Sequence, residues 1–202
     1  MFHDTIQYGS LEIDYLKVAD QKLGRRMEEI GFIERICIPD FYEGFVNAVI
    51  GQQISSKAML TIWNRLKVHC GEITVNSVLS LKEEEWKQMG ISAKKAGYLK
   101  SCAQKINEGL LDPEALFRKQ DKEVIRILTD LDGVGVWTAQ MIMIFTMGRK
   151  DVLSFGDYGI RKGICKLHNL NELTKEQFVQ FQNKYSPYGT IASLYLWEIA
   201  KE

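Results

Sequence analysis

Two glycines one residue apart, in Leu131-Asp132-Gly133-Val134-Gly135-Val136-Trp137-Thr138-Ala139, lead into a stretch from Trp137 to Met147 that is apolar nearly all round. Glycine reaches positive φ without steric cost and lets another backbone come close. Leu131 to Gly135 is therefore expected to be a tight hairpin, with a helix beginning near Val136. A helix that is apolar on every side belongs in the middle of a protein, so Ile142, Ile144 and Phe145 read as core. The first amides of that helix have no intrahelical partner, and the helix dipole favours negative charge there. A phosphate meets both requirements, and Thr138 adds a hydroxyl in the first turn. The same spacing also suits an ordinary helix–helix connection with two turn glycines.

Gly148-Arg149-Lys150-Asp151 breaks the apolar helix, and Val152-Leu153 returns the chain to the interior. Asp157 follows, flanked by Gly156 and leading a helical pattern through Ile160, Ile164 and Leu167. Aspartate is a favoured N-cap. The same carboxylate, in the field of a helix N-terminus, can stabilise a positive charge nearby. The two roles are compatible.

Four segments in order resemble the helix-hairpin-helix DNA glycosylase superfamily, and within it the alkylation-repair branch of 3-methyladenine DNA glycosylase II. They are Phe45-Val46-Asn47-Ala48-Val49-Ile50-Gly51-Gln52-Gln53-Ile54-Ser55, the hairpin Leu131 to Ala139, Gly156-Asp157-Tyr158-Gly159-Ile160-Arg161-Lys162-Gly163, and Ser186-Pro187-Tyr188-Gly189 through Leu196-Trp197. The resemblance runs from about residue 40 onward. It implies that Asp157 is the catalytic aspartate and that Trp137 stands where lyase branches carry a nucleophilic lysine. Hydrolysis of the N-glycosidic bond without strand cleavage follows. Trp137, Met141, Trp197 and Tyr188 are the implied pocket residues, with Met141 where relatives can carry an aromatic. Gln53, Ser55, Gly133, Gly135, Thr138, Ala139 and Arg161 are the implied DNA contacts. Gln53 matches the region whose side chain fills the gap left by a flipped base. Gly189 departs from the Arg or Lys often found in its segment. The family's hairpin also commonly holds a monovalent cation (Na or K) on backbone carbonyls, here those of Thr129, Leu131 and Val134.

The implied chemistry suits one carboxylate. Breaking a glycosidic bond develops positive charge on the sugar, which carboxylates stabilise. An alkylated purine such as 3-methyladenine or 7-methylguanine already carries a positive charge and leaves as a neutral base. A nucleotide must first be flipped out of the stack, and aromatic faces hold a cationic base well. Asp157 could also orient the attacking water. Two other readings remain open. One is a glycosylase for a neutral lesion such as hypoxanthine, uracil or 8-oxoguanine. The other is a non-enzymatic DNA-binding hairpin module, which would not need Asp157.

Composition sets the remaining expectations. At 202 residues and 46% hydrophobic content the chain can bury a good core, and only three prolines interrupt it. Acidic and basic residues balance at 26 each, so binding to double-stranded DNA would need positive charges clustered on one face. Lys57, Lys94, Lys95, Lys100, Arg161 and Lys162 are the candidates. Cys37, Cys70, Cys102 and Cys165 lack the spacing of a metal site or an iron–sulfur cluster, and read as reduced thiols of a cytosolic protein. His3, His69 and His168 form no motif. No apolar stretch is long enough to span a membrane. The expected protein is a cytoplasmic monomer, nucleoid-associated in a prokaryote, with no required cofactor and no membrane partner.

The expected fold is all-α, one domain of two helical lobes with a DNA-binding cleft between them. One lobe covers about 40–130, and the other residues 1–39 with 131–202. Residues 1–10 read as irregular or weakly extended, Asp14 to Ile30 as one amphipathic helix, and Val75 to Met89 as one short helix. Ser92, Asp112-Pro113, Asp121 and Thr174 mark further helix starts. The residues ahead of the first motif are too few for the N-terminal β domain that some relatives carry.

Overall fold

Short-range caps set where most helices begin. In a computed structural model that describes residues 5–202, the side chains of Asp20, Asp40, Ser55, Thr74, Ser92, Asp112, Asp157 and Thr174 each accept a backbone N–H two or three residues on. His3 lies outside the described residues. The helices are α1 (Ser10–Ala19), α2 (Gln21–Ile30), α3 (Phe41–Ile50), α4 (Ser56–Cys70), α5 (Val75–Leu79), α6 (Glu83–Met89) and α7 (Ala93–Asn107). They continue with α8 (Pro113–Phe117), α9 (Asp121–Thr129), α10 (Val136–Phe145), α11 (Tyr158–His168), α12 (Lys175–Tyr185) and α13 (Gly189–Lys201). Among the described residues the only extended pairing is an isolated antiparallel bridge between Thr5 and Ile36. The fold is all-α. No helix among the described residues is long and apolar enough to cross a membrane.

The chain divides into two compact units, Met1–Cys37 with Met143–Glu202, and Ile38–Ile142. In the first, α11 lies against α13 so closely that a Cβ on Gly163 would stand 2.2 Å from the Leu196 carbonyl oxygen. Helices α1 and α2 pack together, and α2 and α12 pack on α13. Leu16, Leu23, Ile164, Phe178 and Tyr195 fill the interior. The expected single helix from Asp14 to Ile30 is two helices. The buried Asp20 is extended (φ −146°) and caps α2 by accepting from the Lys22 and Leu23 amides. Its other oxygen takes the Tyr185 hydroxyl at 2.9 Å and lies 3.1 Å from His168 Nε2. Amphipathic periodicity runs through this break, so the pattern alone conceals it.

In the second unit α3 packs on α4 and α7, and α5 and α6 pack on α7. The Tyr42 hydroxyl donates to the Leu99 carbonyl at 2.9 Å. The expected helix from Val75 to Met89 is likewise two, because Glu85 turns back to accept the Lys82 N–H and starts a new helix. The hairpin after α9 falls in this unit rather than with the terminal residues expected of it. Gln52 donates to the Gly133 carbonyl, Ser101 donates to Asp132, and Tyr98 packs on Gly133. The boundary between the units falls inside α10.

Candidate active site

Asp157 sits at the N-cap of α11 with φ −84° and ψ 118°, and it is 9% exposed. One carboxylate oxygen, Oδ1, accepts the Ile160 N–H and the Trp197 indole N–H, each at 2.9 Å. The first bond is local to the helix start. The second crosses from α13 and depends on its close approach to α11, where Gly159 leaves room for the indole. A Cβ on Gly159 would lie 2.8 Å from Trp197 Cδ1 and 3.2 Å from Asp157 Oδ1. Phe145, at the end of α10, stacks on Trp197 with ring centroids 5.7 Å apart. The Arg35 guanidinium stands over the same indole at 5.9 Å. These groups border a cavity of about 370 Å3, whose lining also includes Tyr158, Gly159 and Lys162. Phe145 is therefore not wholly core, as expected from its apolar run, but half-exposed at the cavity wall.

The other expected residues of this unit lie as follows. Tyr188 precedes α13 and meets Tyr15 edge-on at 5.2 Å. Arg161 lies over the Phe155 ring at 5.3 Å, and its buried Nε has no hydrogen-bond partner among the described residues. Lys162 is half-buried along the cavity.

The hairpin is built differently at its two glycines. Gly133 has φ +76°, and a Cβ there would stand 2.1 Å from Tyr98 Cδ2, so the protein itself demands glycine. At Gly135 an added Cβ would meet nothing within 4 Å, and the open space is available to an outside group. Thr138 corrects its expectation. It is 4% exposed, and its hydroxyl accepts from Gln52 Nε2 at 3.0 Å, because the same glutamine that binds Gly133 reaches the first turn of α10. Ala139 is fully buried and its N–H donates to Gly135, so it offers a phosphate neither side chain nor amide. Trp137 is half-buried and Met141 buried, both on α10. The Thr129 hydroxyl turns back to the Ile125 and Arg126 carbonyls of α9, and the Leu131 carbonyl accepts the Val134 N–H at 3.2 Å.

Gln53 is exposed with φ 57°, a left-handed conformation that non-glycine residues seldom adopt. Ser55 caps α4 through the Ala58 amide. Lys95 does not join a basic face. Its ammonium donates to the Ile50 and Gln52 carbonyls, both at 2.8 Å, and burial holds it below the usual lysine range. Lys100 similarly donates to the Leu81 carbonyl. Both are carbonyl straps, which their side-chain length permits and their sequence position does not announce. Sequence reasoning also missed Gln52, Arg35 and Tyr158. Gln52 had a signal, since it adjoins Gln53 in the Gly-Gln-Gln segment; Arg35 had none.

An all-helical chain with a glycine hairpin feeding a buried helix, and an aspartate held by an indole, has the build of a helix-hairpin-helix protein. It belongs to the HhH-GPD superfamily of base excision DNA repair proteins, whose profile matches residues 46–187. Among its relatives is DNA-3-methyladenine glycosylase 1 of Schizosaccharomyces pombe, 34% identical over 165 residues, which are 79% of this chain and 72% of that protein. The structure of an S. pombe 3-methyladenine DNA glycosylase in complex with abasic DNA superposes with a TM-score of 0.85 at 30% identity, covering 96% of this chain and 98% of that one. The DNA-3-methyladenine glycosidase of Bacillus halodurans gives 0.84 at 30% identity, covering 98% and 93%.

Proposed function

We propose that this chain is a monofunctional DNA glycosylase that flips alkylated purines out of duplex DNA and excises them by hydrolysis in base excision repair. The observation that carries the reading is the placement of Asp157, a buried carboxylate fixed by two N–H donors on one oxygen beside an aromatic-walled cavity. The names of relatives at 30% identity or more, and the abasic DNA bound by one of them, support the substrate class.

The chemistry follows from that placement. As the bond from C1′ to the base breaks, positive charge grows on the sugar, and a fixed carboxylate stabilises it without reorganising. Asp157 is also suited to orient the water that attacks C1′. Trp137 replaces the lysine that would attack the sugar in lyase branches, so the product is an intact abasic site. Trp197 contributes an aromatic wall of the base-binding surface, and Gln53 fills the gap in the stack. The open hairpin at Gly135, with the start of α10, receives a backbone phosphate; Ser55 and Arg161 add contacts. Backbone carbonyls suit a hard cation, and those of Thr129, Leu131 and Val134 would hold a monovalent one that stiffens the hairpin. The protein works on DNA in the cytoplasm, on the nucleoid in a prokaryote.

The test is release of free base from methylated duplex DNA by the wild type and by Asp157→Asn. Methylpurine released by the wild type alone supports the reading. DNA binding by both proteins with no base released by either would refute it.

A further inference from the structure

Gln53 is held in its left-handed conformation by groups far along the chain. A non-glycine residue at φ 57° is strained, and such a residue persists only where its surroundings fix it. Here the fixing group is Lys95, in the first turn of α7. Its ammonium donates to the Ile50 carbonyl and to the Gln52 carbonyl, each at 2.8 Å. The Gln52 carbonyl belongs to the rigid peptide plane that joins Gln52 to Gln53, so fixing its direction constrains the φ of Gln53. Ile50 is the last residue of α3, and the same ammonium therefore ties the turn to the end of that helix. The Gln52 side chain carries the hold across to the hairpin. Its Nε2 donates to the Gly133 carbonyl at 2.9 Å and to the Thr138 hydroxyl at 3.0 Å. Gly133 is itself packed against Tyr98, which follows Lys95 on α7.

We propose that Lys95 and Gln52 are positioning residues for base flipping, which together clamp the Gln53 turn to the hairpin so that the side chain entering the stack and the amides receiving a phosphate keep a fixed spacing. This rests on the glycosylase reading above, with Gln53 as the residue that fills the gap. Extruding a nucleotide costs the stacking and pairing that it gives up. A side chain that refills the gap offsets this cost best when it is already in place. A turn free to relax out of the left-handed conformation would have to be ordered on binding, at an entropic cost. The wedge also needs a counter-hold on the DNA backbone, which the start of α10 supplies. Lys95 and Gln52 act through Gln53 and the hairpin, and their effect falls on the flipping step that precedes the chemistry at Asp157.

The experiment measures single-turnover release of 7-methylguanine from two duplexes. In one the lesion is paired with cytosine; in the other it faces a stable abasic analogue, so no pair has to be broken. Wild type, Lys95→Met, Lys95→Arg, Gln52→Met and Gln53→Ala are compared, each with a circular dichroism melt. Flipping costs least for an unpaired base, so loss of the clamp should fall mainly on the paired duplex. Lys95→Met should lower the ratio of paired to unpaired release by about 10–100-fold, the effect of misplacing a positioned group by about 1 Å. Lys95→Arg keeps a charged donor and should recover most of that ratio. Gln52→Met removes the other arm, should lower the same ratio, and stands in if Lys95→Met folds poorly. Adding Lys95→Met to Gln53→Ala should lower the ratio no further than Gln53→Ala alone, because the strap acts through Gln53. Releases that fall in step on both duplexes, an unmoved ratio, or losses that multiply in the double variant would overturn the proposal. Release of no methylpurine from either duplex by the wild type would instead refute the glycosylase reading itself.

Discussion

Replacing Gly159 by alanine tests the tie between Trp197 and Asp157 in a way the geometry quantifies. The new Cβ would start 2.8 Å from Trp197 Cδ1, whereas carbon atoms settle at about 3.5–4.0 Å. The indole must retreat by about 0.7 Å. That motion stretches the Trp197–Asp157 hydrogen bond from 2.9 Å to about 3.6 Å, beyond hydrogen-bond range. A bond to a charged group contributes about 1.5–3 kcal/mol. If it fixes the reactive carboxylate, its loss lowers the rate of base release by about 10–100-fold. Stability falls as well. Overpacking costs about 1–3 kcal/mol, and alanine gains about 0.5–1 kcal/mol over glycine in a helix. With the lost hydrogen bond included, the net loss is about 1.5–5.5 kcal/mol, or a Tm lower by up to about 20 °C. Single-turnover release from methylated duplex DNA below the melting transition, with a circular dichroism melt of the same sample, reads both quantities. Unchanged release would refute the claim that Trp197 positions Asp157. So would a rate loss that merely follows the unfolded fraction.

Three further outcomes are expected. Gly133→Ala should destabilise by about 2–5 kcal/mol, from positive-φ strain and overlap with Tyr98. Gly135→Ala should change stability by less than about 0.5 kcal/mol yet weaken DNA binding; equal DNA affinity for Gly135→Ala and wild type would remove the hairpin from the interface. At Asp20, burial pushes the carboxyl up, but hydrogen bonds from His168, the Leu23 amide and the Tyr185 hydroxyl outweigh it and hold the group well below its ordinary value. A depressed carboxyl contributes stability that is present above its unfolded pKa of about 3.9 and is lost as pH falls toward the folded value. Asp20→Ala should cost about 3–5 kcal/mol in urea melts at pH 7, and the gap to wild type should narrow below about pH 4. A gap that stays constant into acid would sink the assignment.

Much of the fold was legible because its signals are local. Asp157, Ser92 and Thr174 cap helices through amides three residues away, and such bonds leave residue types at fixed offsets. The glycine hairpin, the buried apolar helix and the resemblance carried by four ordered segments were legible for the same reason. Where local signals conflict, the reading failed. The hydrophobic periodicity of residues 14–30 passes through Asp20 unbroken, and only the partners that Asp20 finds on α11 and α12 explain why the helix stops there. Thr138 looked like a surface donor because helix first turns face outward in general; Gln52 draws it inward from 86 positions away.

The sequence by itself determined an all-helical chain of this superfamily, the position of its carboxylate and the absence of a lysine at residue 137. Tertiary structure alone decided what surrounds that carboxylate. The Trp197 indole reaches Asp157 from 40 residues away, Arg35 stands over the indole, and Lys95 spends its charge on the Ile50 and Gln52 carbonyls. The physical reason is that a local bond constrains residue type at a fixed spacing along the chain. A long-range contact constrains only shape and charge where two distant segments meet, and no periodicity in either segment records it.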